Sequence, residues 1–80
     1  MYKITNEFLD VKISLLGAEL SSLKTKEREY LWNGNPAYWN WRSPLLFPIV
    51  GSLKDNKTII LGKEYHQPKH GFIRDLSFDL

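Results

Sequence analysis

An imidazole and a guanidinium four residues apart, His70 and Arg74, lie in the segment Gln67-Pro68-Lys69-His70-Gly71-Phe72-Ile73-Arg74-Asp75. These two side chains are well suited to holding the oxygens of a polar ligand, one through a ring nitrogen and the other through a planar fork of N–H donors. Pro68 fixes one backbone dihedral, and Gly71 permits conformations that a Cβ disfavours. On a regular strand, residues 70, 72 and 74 project to one side, so His70 and Arg74 would reach a common ligand over an apolar floor at Phe72. The competing reading is a polar turn that happens to contain a histidine.

A second segment, Arg42-Ser43-Pro44-Leu45-Leu46-Phe47-Pro48-Ile49-Val50-Gly51, is apolar, stiffened by proline and headed by another arginine. Arg42 is the third candidate for a ligand contact. Its competing role is structural, beside Trp41 and stacked on an indole. His66 and His70 have the i, i+4 spacing of a helical metal pair, but Pro68 lies between them and argues against a regular helix. With no third ligand evident, no metal site is expected. Asp75 is expected to pair with a neighbouring side chain, and Glu19 to be a structural or solvated carboxylate.

The elements that must position these residues read as strands. Tyr2 to Asn6 alternates polar and apolar. Leu9, Val11, Ile13 and Leu15 then share one face, with Asp10, Lys12 and Ser14 on the other, which is the period of a half-buried strand. A hairpin turn at Asn6-Glu7 would pair the two antiparallel. Ala18 to Lys24 predicts a third strand in competition with a helix, and Lys26 to Glu29 a turn into Tyr30-Leu31-Trp32. Asn33-Gly34-Asn35-Pro36 is a turn signal, with Asn35 placed to cap a short helical turn from Pro36 to Trp39. Asp55-Asn56-Lys57 predicts a turn before a Thr58–Leu61 strand, and Gly62-Lys63 a turn into Glu64-Tyr65-His66. The alternation of Leu76, Phe78 and Leu80 predicts a last strand with one apolar face. About seven short strands and no substantial helix make an all-β chain.

Composition narrows the function classes. Eighty residues make one domain at most, burying only about 60% of the surface of the unfolded chain. There is no cysteine, hence no disulfide framework or thiolate metal site, in keeping with a reducing cytoplasm. No apolar run approaches the ~20 residues of a membrane span, and no membrane partner is expected. The charge of +2 comes from 11 basic and 9 acidic residues, and the basic ones are scattered rather than gathered on one face, so no nucleic-acid partner is expected either.

Taken in order, Gly17-Ala18-Glu19-Leu20-Ser21-Ser22-Leu23, Tyr30-Leu31-Trp32, Pro36-Ala37-Tyr38-Trp39, the segment from Arg42 to Gly51, Gly62-Lys63-Glu64-Tyr65 and Lys69-His70-Gly71-Phe72 resemble the aldose 1-epimerase (galactose mutarotase-like) family, in its LacX-like subgroup. The resemblance runs from about Lys3 to Asp79. It implies an antiparallel β-sandwich of which residues 1–80 are the amino-terminal part, because members of the family are several times longer. It also implies interconversion of hexose anomers, no cofactor, and a hexose or related sugar as ligand. His70 corresponds to the family histidine that hydrogen-bonds a sugar oxygen, and Arg74 to the arginine that follows it. The family's catalytic acid and base, a histidine and a glutamate, correspond to no residue of this chain. Ser52 stands where many members carry arginine after the Val-Gly pair, so that contact is either missing or assumed by Arg42. Of Trp32, Trp39 and Trp41, two are expected in the core, and the third is open to stacking on a pyranose.

Two function classes remain in competition. One is the sugar-positioning part of an epimerase. The other is a self-sufficient, non-catalytic β module that binds carbohydrate or a protein partner. The unblunted last strand favours the first, and predicts self-association or pairing with a chain that carries the missing strands.

Overall fold

The computed structural model describes residues 1–79. Strands β1 (Tyr2–Thr5), β2 (Asp10–Ile13) and β3 (Leu20–Lys24) form one antiparallel sheet in chain order. The β1–β2 register runs from Tyr2 opposite Ile13 to Thr5 opposite Asp10. Their connection is a four-residue loop, longer than the tight Asn6-Glu7 turn read from the sequence. The Asn6 side chain explains it: Oδ1 accepts the N–H groups of Phe8 and Leu9 at 2.8 and 2.7 Å, while the Asn6 N–H donates to the Leu9 carbonyl at 3.0 Å. An asparagine that satisfies two backbone donors replaces a mirror-image turn, and β2 starts only at Asp10.

The β2–β3 register shifts between Lys12, opposite Ser22, and Ile13, opposite Leu20, so Ser21 is the extra residue of a bulge. Among the described residues Ser21 is the one buried polar residue, and its hydroxyl donates to the Glu19 carbonyl at 3.2 Å. Beyond β3 the chain reverses around Thr25 and returns through a bridge between Lys24 and Glu29. Tyr30-Leu31-Trp32 is therefore not a strand. The Tyr30 N–H donates to the Leu23 carbonyl at 2.8 Å, and the Glu29 carboxylate takes the N–H groups of Leu23 and Leu31.

The Glu29 carboxylate gathers the reversal. It accepts from the Ser22 hydroxyl and from the N–H groups of Leu23 and Leu31 at 2.8 and 3.1 Å. The Ser22 hydroxyl first, then these two amides, lower its pKa from 4.5 to about 2.

The second sheet is the hairpin β4 (Lys57–Ile60) and β5 (Lys63–His66). Its two-residue turn is Leu61-Gly62, with φ of 51° and 78°, rather than Gly62-Lys63. Two positive φ values mark the turn whose twist suits a hairpin. The cross-strand register, Ile60 opposite Lys63, moves the turn one residue upstream of the sequence-based position. Leu61 consequently stands fully in solvent. Asp55 and Asn56 precede the hairpin with left-handed φ of 54° and 56°, within the expected turn.

Downstream, Ile73–Asp75 is a single 3₁₀ turn. The strand expected from Asp75 to Leu80 is reduced to a bridge between Leu16 and Ser77, with the Gly17 N–H donating to Leu76 O at 2.6 Å and the Phe78 N–H to Leu15 O at 2.7 Å. The short partner at Leu15–Gly17 offers no longer ladder. Of the expected apolar face, Leu76 is exposed and Phe78 half-buried, while Leu80 lies outside the described residues.

The sheets do not enclose a core. Among the described residues no apolar side chain is buried, and Tyr2, Ile4, Leu9, Ile59 and Ile60 are all exposed. The tryptophans expected in a core are no exception, since Trp32 and Trp39 are 40% and 49% exposed and Trp41 is half-buried. The radius of gyration is 16.2 Å, against about 11.6 Å for a compact chain of this length. The accessible surface of 6409 Å² exceeds by roughly 1,400 Å² what a folded monomer of 9.4 kDa presents. The molecule is a slab of 53 × 31 × 16 Å, in effect one layer of structure.

Two outcomes follow. In sedimentation the purified chain associates, with itself or with a chain that covers the slab, because the surplus exceeds the roughly 800 Å² each partner contributes to an ordinary interface. A 9.4 kDa monomer that unfolds cooperatively would contradict this. The Glu29 side-chain carbon titrates near pH 2 by NMR. Its folded pKa lies below the unfolded value, so its contribution to stability is complete above pH 4.5 and is lost as pH falls toward about 2. Glu29→Gln removes that part of the acid sensitivity.

Candidate functional site

The two motifs singled out in the sequence are zipped together. The Phe47 carbonyl accepts two successive N–H groups, Phe72 at 2.9 Å and Ile73 at 3.2 Å, and Phe47 bridges Gly71 in the parallel sense. Four residues on, Gly51 and His70 exchange two bonds: the His70 N–H donates to Gly51 O at 2.8 Å, and the Gly51 N–H donates to His70 Nδ1 at 2.8 Å.

A turn makes this approach possible. The Gly71 N–H donates to the Pro68 carbonyl at 2.9 Å, with Lys69 and His70 as central residues. His70 has φ of 65°, the left-handed geometry that the second central position of a type II turn requires and that glycine or asparagine normally supplies. A ring-bearing residue there is strained by ~1 kcal/mol or more. Gly71 follows at φ 72°, and a Cβ on it would run into the Phe47 carbonyl and lie 2.7 Å from Pro48 Cδ. Nothing larger than hydrogen fits at that position.

His70 and Arg74 therefore do not share a face by strand alternation. A turn and a 3₁₀ turn bring them together instead, on one cleft of about 380 Å³. Its apolar wall is Trp39, Trp41, Pro44 and Leu46, and its polar side is Lys69, His70 and Arg74. Phe72, expected as the floor, is not part of the lining. Because Nδ1 accepts from Gly51, the neutral His70 ring carries its proton on Nε2 and presents a donor. The Arg74 guanidinium lies over the Trp41 ring, 4.9 Å from its centroid, and Nε is buried without a hydrogen-bond partner. Gly17 packs beneath: a Cβ there would stand 2.6 Å from the Arg74 carbonyl oxygen.

The stacked arginine is Arg74 and not Arg42. Arg42 lines a different hollow with Trp32 and Asn33, donates through Nη2 to the Asn33 carbonyl at 2.9 Å, and gives its backbone N–H to Glu19 Oε2 at 3.1 Å. Glu19 is thus structural, and it ties the start of the second motif to β3, where the Ser43 hydroxyl also donates to Leu20 O at 2.6 Å. Arg42 is not part of the lining of the His70–Arg74 cleft, and Ser52 is exposed. His66 lies on β5 with Nε2 3.0 Å from Glu64 Oε2, and among the described residues no group of three metal-ligating side chains gathers. Asp75 forms no ion pair among the described residues.

Lys69 was not singled out as a lining residue in the sequence, and Trp39 was one of three tryptophans of which one was left open to stacking on a sugar. Asn35 is the local signal for Trp39. Its Oδ1 accepts the Ala37 N–H at 2.9 Å and its carbonyl the N–H groups of Tyr38 and Trp39, so the cap read from the sequence sets this turn. The Trp39 carbonyl in turn accepts the Trp32 indole N–H at 2.7 Å. The wider hollow between the loops at 5–10 and 24–29, about 490 Å³, is lined by turn residues with mixed charges and offers no comparable convergence of donors on an aromatic wall.

An all-β chain built this way, with antiparallel sheets and an aromatic-walled cleft of donors at a Pro-Lys-His-Gly turn, has the fold of galactose mutarotase-like proteins. Over 99% of its length it superposes with a TM-score of 0.94 on a galactose mutarotase-like protein from Lactobacillus casei (38% identity), and over 98% with a TM-score of 0.90 on a galactose mutarotase related enzyme from Lactobacillus acidophilus (42% identity). The aldose 1-epimerase family model matches residues 1–80, and the chain belongs to that family. It is also 41% identical, over 98% of its length, to the plasmid-encoded protein LacX of Lactococcus lactis subsp. lactis. The chain spans 28% of the length of that relative, and 27–28% of the two solved structures.

The joint between the motifs has a direct test. Gly71→Ala meets both left-handed strain and the Phe47 carbonyl, whereas Gly62→Ala, with open space around it, meets strain alone. Hydrogen exchange at the Phe72 and Ile73 amides therefore accelerates in Gly71→Ala and stays unchanged in Gly62→Ala, although each costs about 1–3 kcal/mol in strain.

Proposed function

We propose that this chain supplies the carbohydrate-positioning surface of an aldose 1-epimerase-like protein that interconverts hexose anomers. The observation that carries the reading is the convergence of His70 Nε2–H and the Arg74 guanidinium on a cleft walled by Trp39 and Trp41. An indole face packs against the C–H face of a pyranose, and the donors take its hydroxyl or ring oxygens. Family membership supports the same reading.

Mutarotation needs a base for the proton of the C1 hydroxyl and an acid for the ring oxygen. The ring opens to the aldehyde, the C1–C2 bond rotates, and closure reverses the two proton transfers. Each group contributes typically about 10²–10⁴-fold. The cleft has no carboxylate, and His70 Nδ1 is engaged by Gly51, so His70 serves as a fixed donor and not as half of a proton-exchanging pair. Catalysis in this reading belongs to groups that a covering chain brings to the same sugar. The absence of any buried apolar side chain among the described residues disfavours the rival, a self-sufficient β module. Arg42 is assigned to the fold. The cytoplasmic setting is part of the proposal and rests on the cysteine-free composition.

Polarimetry of freshly dissolved α-D-glucose tests the reading. The chain alone gives the buffer rate. Co-expressed with the complementary portion of the Lactobacillus casei protein it accelerates mutarotation, and His70→Ala or Arg74→Ala then lowers kcat/KM ten- to hundredfold, in line with about 1–3 kcal/mol for a lost polar contact. His66→Ala, on the far hairpin, leaves the rate unchanged. Full activity in both cleft variants would reduce the motif to a turn.

A further inference from the structure

His70 Nδ1 accepts the Gly51 N–H at 2.8 Å, and a ring nitrogen accepts only while it carries no proton. Protonation puts an N–H on that nitrogen, facing the N–H it had received, so attraction becomes repulsion. The rest of the joint runs from backbone to backbone: the His70 N–H to Gly51 O, and the Phe72 and Ile73 N–H groups to Phe47 O. None of those bonds titrates. The acid-sensitive bond belongs to the side-chain type that ordinarily changes charge between roughly pH 5 and 8. It also bears on the backbone. His70 holds φ of 65° in the turn after Pro68, and the bond from its ring to Gly51 offsets a strain of similar size. The charged side chains that share the cleft with the ring are Lys69 from the same turn and Arg74 from the 3₁₀ turn. Segment 47–51 and the wall at Trp39, Trp41, Pro44 and Leu46 contribute no titratable group.

We propose that His70 is a pH latch between the two motifs. The neutral ring fastens the turn at 68–71 to Gly51 and aims Nε2–H into the cleft. The protonated ring lets go of Gly51 and loses that fixed aim, and the turn loosens while the two bonds to the Phe47 carbonyl hold. The latch itself needs no ligand. Its consequence for binding rests on the sugar-positioning reading above: the cleft is set for a sugar while the ring is neutral, and is unset once the ring is charged.

The chain has two histidines and five glycines, so isotopic labelling of the nitrogens of these two residue types leaves two rings and five amides to follow by NMR. The measurement is made on the 80-residue chain in the assembly state it adopts, at about pH 8 and about pH 5. Glu29, held at about 2, does not titrate in that window. At the higher pH the His70 ring carries its proton on Nε2. Once the ring is charged, protection of the Gly51 amide against exchange, corrected for the intrinsic rate, falls about five- to tenfold. The Gly17 amide, bonded to the Leu76 carbonyl, keeps its protection. Asparagine offers an oxygen acceptor that does not titrate and tolerates left-handed φ, so His70→Asn keeps Gly51 protected at both pH values. His70→Ala leaves it unprotected at both. A neutral ring protonated on Nδ1, a ring still neutral at the lower pH, or Gly51 protection that survives ring protonation overturns the latch. An equal acid loss in His70→Asn also overturns it, as a general effect of acid. None of these readouts uses a sugar. D-glucose binding, followed by the fluorescence of the two indoles that line the cleft, is expected to weaken when the latch opens. Equal binding at both pH values with the latch open overturns its link to the ligand, and no binding at either pH overturns the sugar-positioning reading alone.

Discussion

Everything at the cleft depends on the backbone joint where Phe47 and Gly51 meet Gly71 and His70. One carbonyl, that of Phe47, receives two successive amides, and the space it occupies is the space a Cβ on Gly71 would need. Four residues later the His70 ring serves as a hydrogen-bond acceptor for Gly51 as well as a ligand donor. Because Nδ1 is committed to the backbone, the ring is fixed in orientation and tautomer before any ligand arrives. That is the preorganisation a positioning residue needs, and it comes at the cost of a strained left-handed residue in the turn.

The joint also organises its surroundings. Holding residues 71–73 against Phe47 sets where the 3₁₀ turn at Ile73–Asp75 begins, and so carries Arg74 to Trp41. Gly17 lets the Arg74 backbone lie close beneath, and the bond from the Gly17 N–H to the Leu76 carbonyl links this region to the segment that leads into β3. On the other side, Glu19 and Ser43 tie the start of the apolar motif to the same strand. Scattered polar contacts thus supply the coherence this region has. Each such bond contributes only about 0.5–1.5 kcal/mol net, which does not substitute for apolar burial. Together with the slab shape this makes the chain a surface-bearing part of a family whose compared members are more than three times its length.

Much of this was legible in the sequence because it is local. The period-two alternation around Val11 and Ile13 places β2, Asn35 caps its turn, and the positive φ of Gly71 follows from residue type. That the two motifs pack against each other follows from no local rule. Errors arose where a local pattern met a partner it did not encode. Asn6 closed a wider loop than a two-residue hairpin because one side-chain oxygen served two amides. The β4–β5 register moved the tight turn to Leu61, a residue poorly suited to left-handed φ, because pairing across the hairpin outweighs the preference of one position. The alternation at Leu76 and Phe78 did not become a strand because a ladder is as long as the shorter of its two members.

The sequence by itself determined the all-β class, the turn chemistry and the identity of the donors, since these depend on residue type and on neighbours a few positions away. Only the tertiary structure decided how the donors are used. It placed Arg74, and not Arg42, on the indole of Trp41, brought His70 and Arg74 together by a turn where strand alternation had been expected, and left Trp32 and Trp39 at the surface. These outcomes depend on which segments pack together across twenty or more residues, and on how little apolar surface one layer of strands covers. A pattern read along the chain records a side chain's character but not what it will lie against.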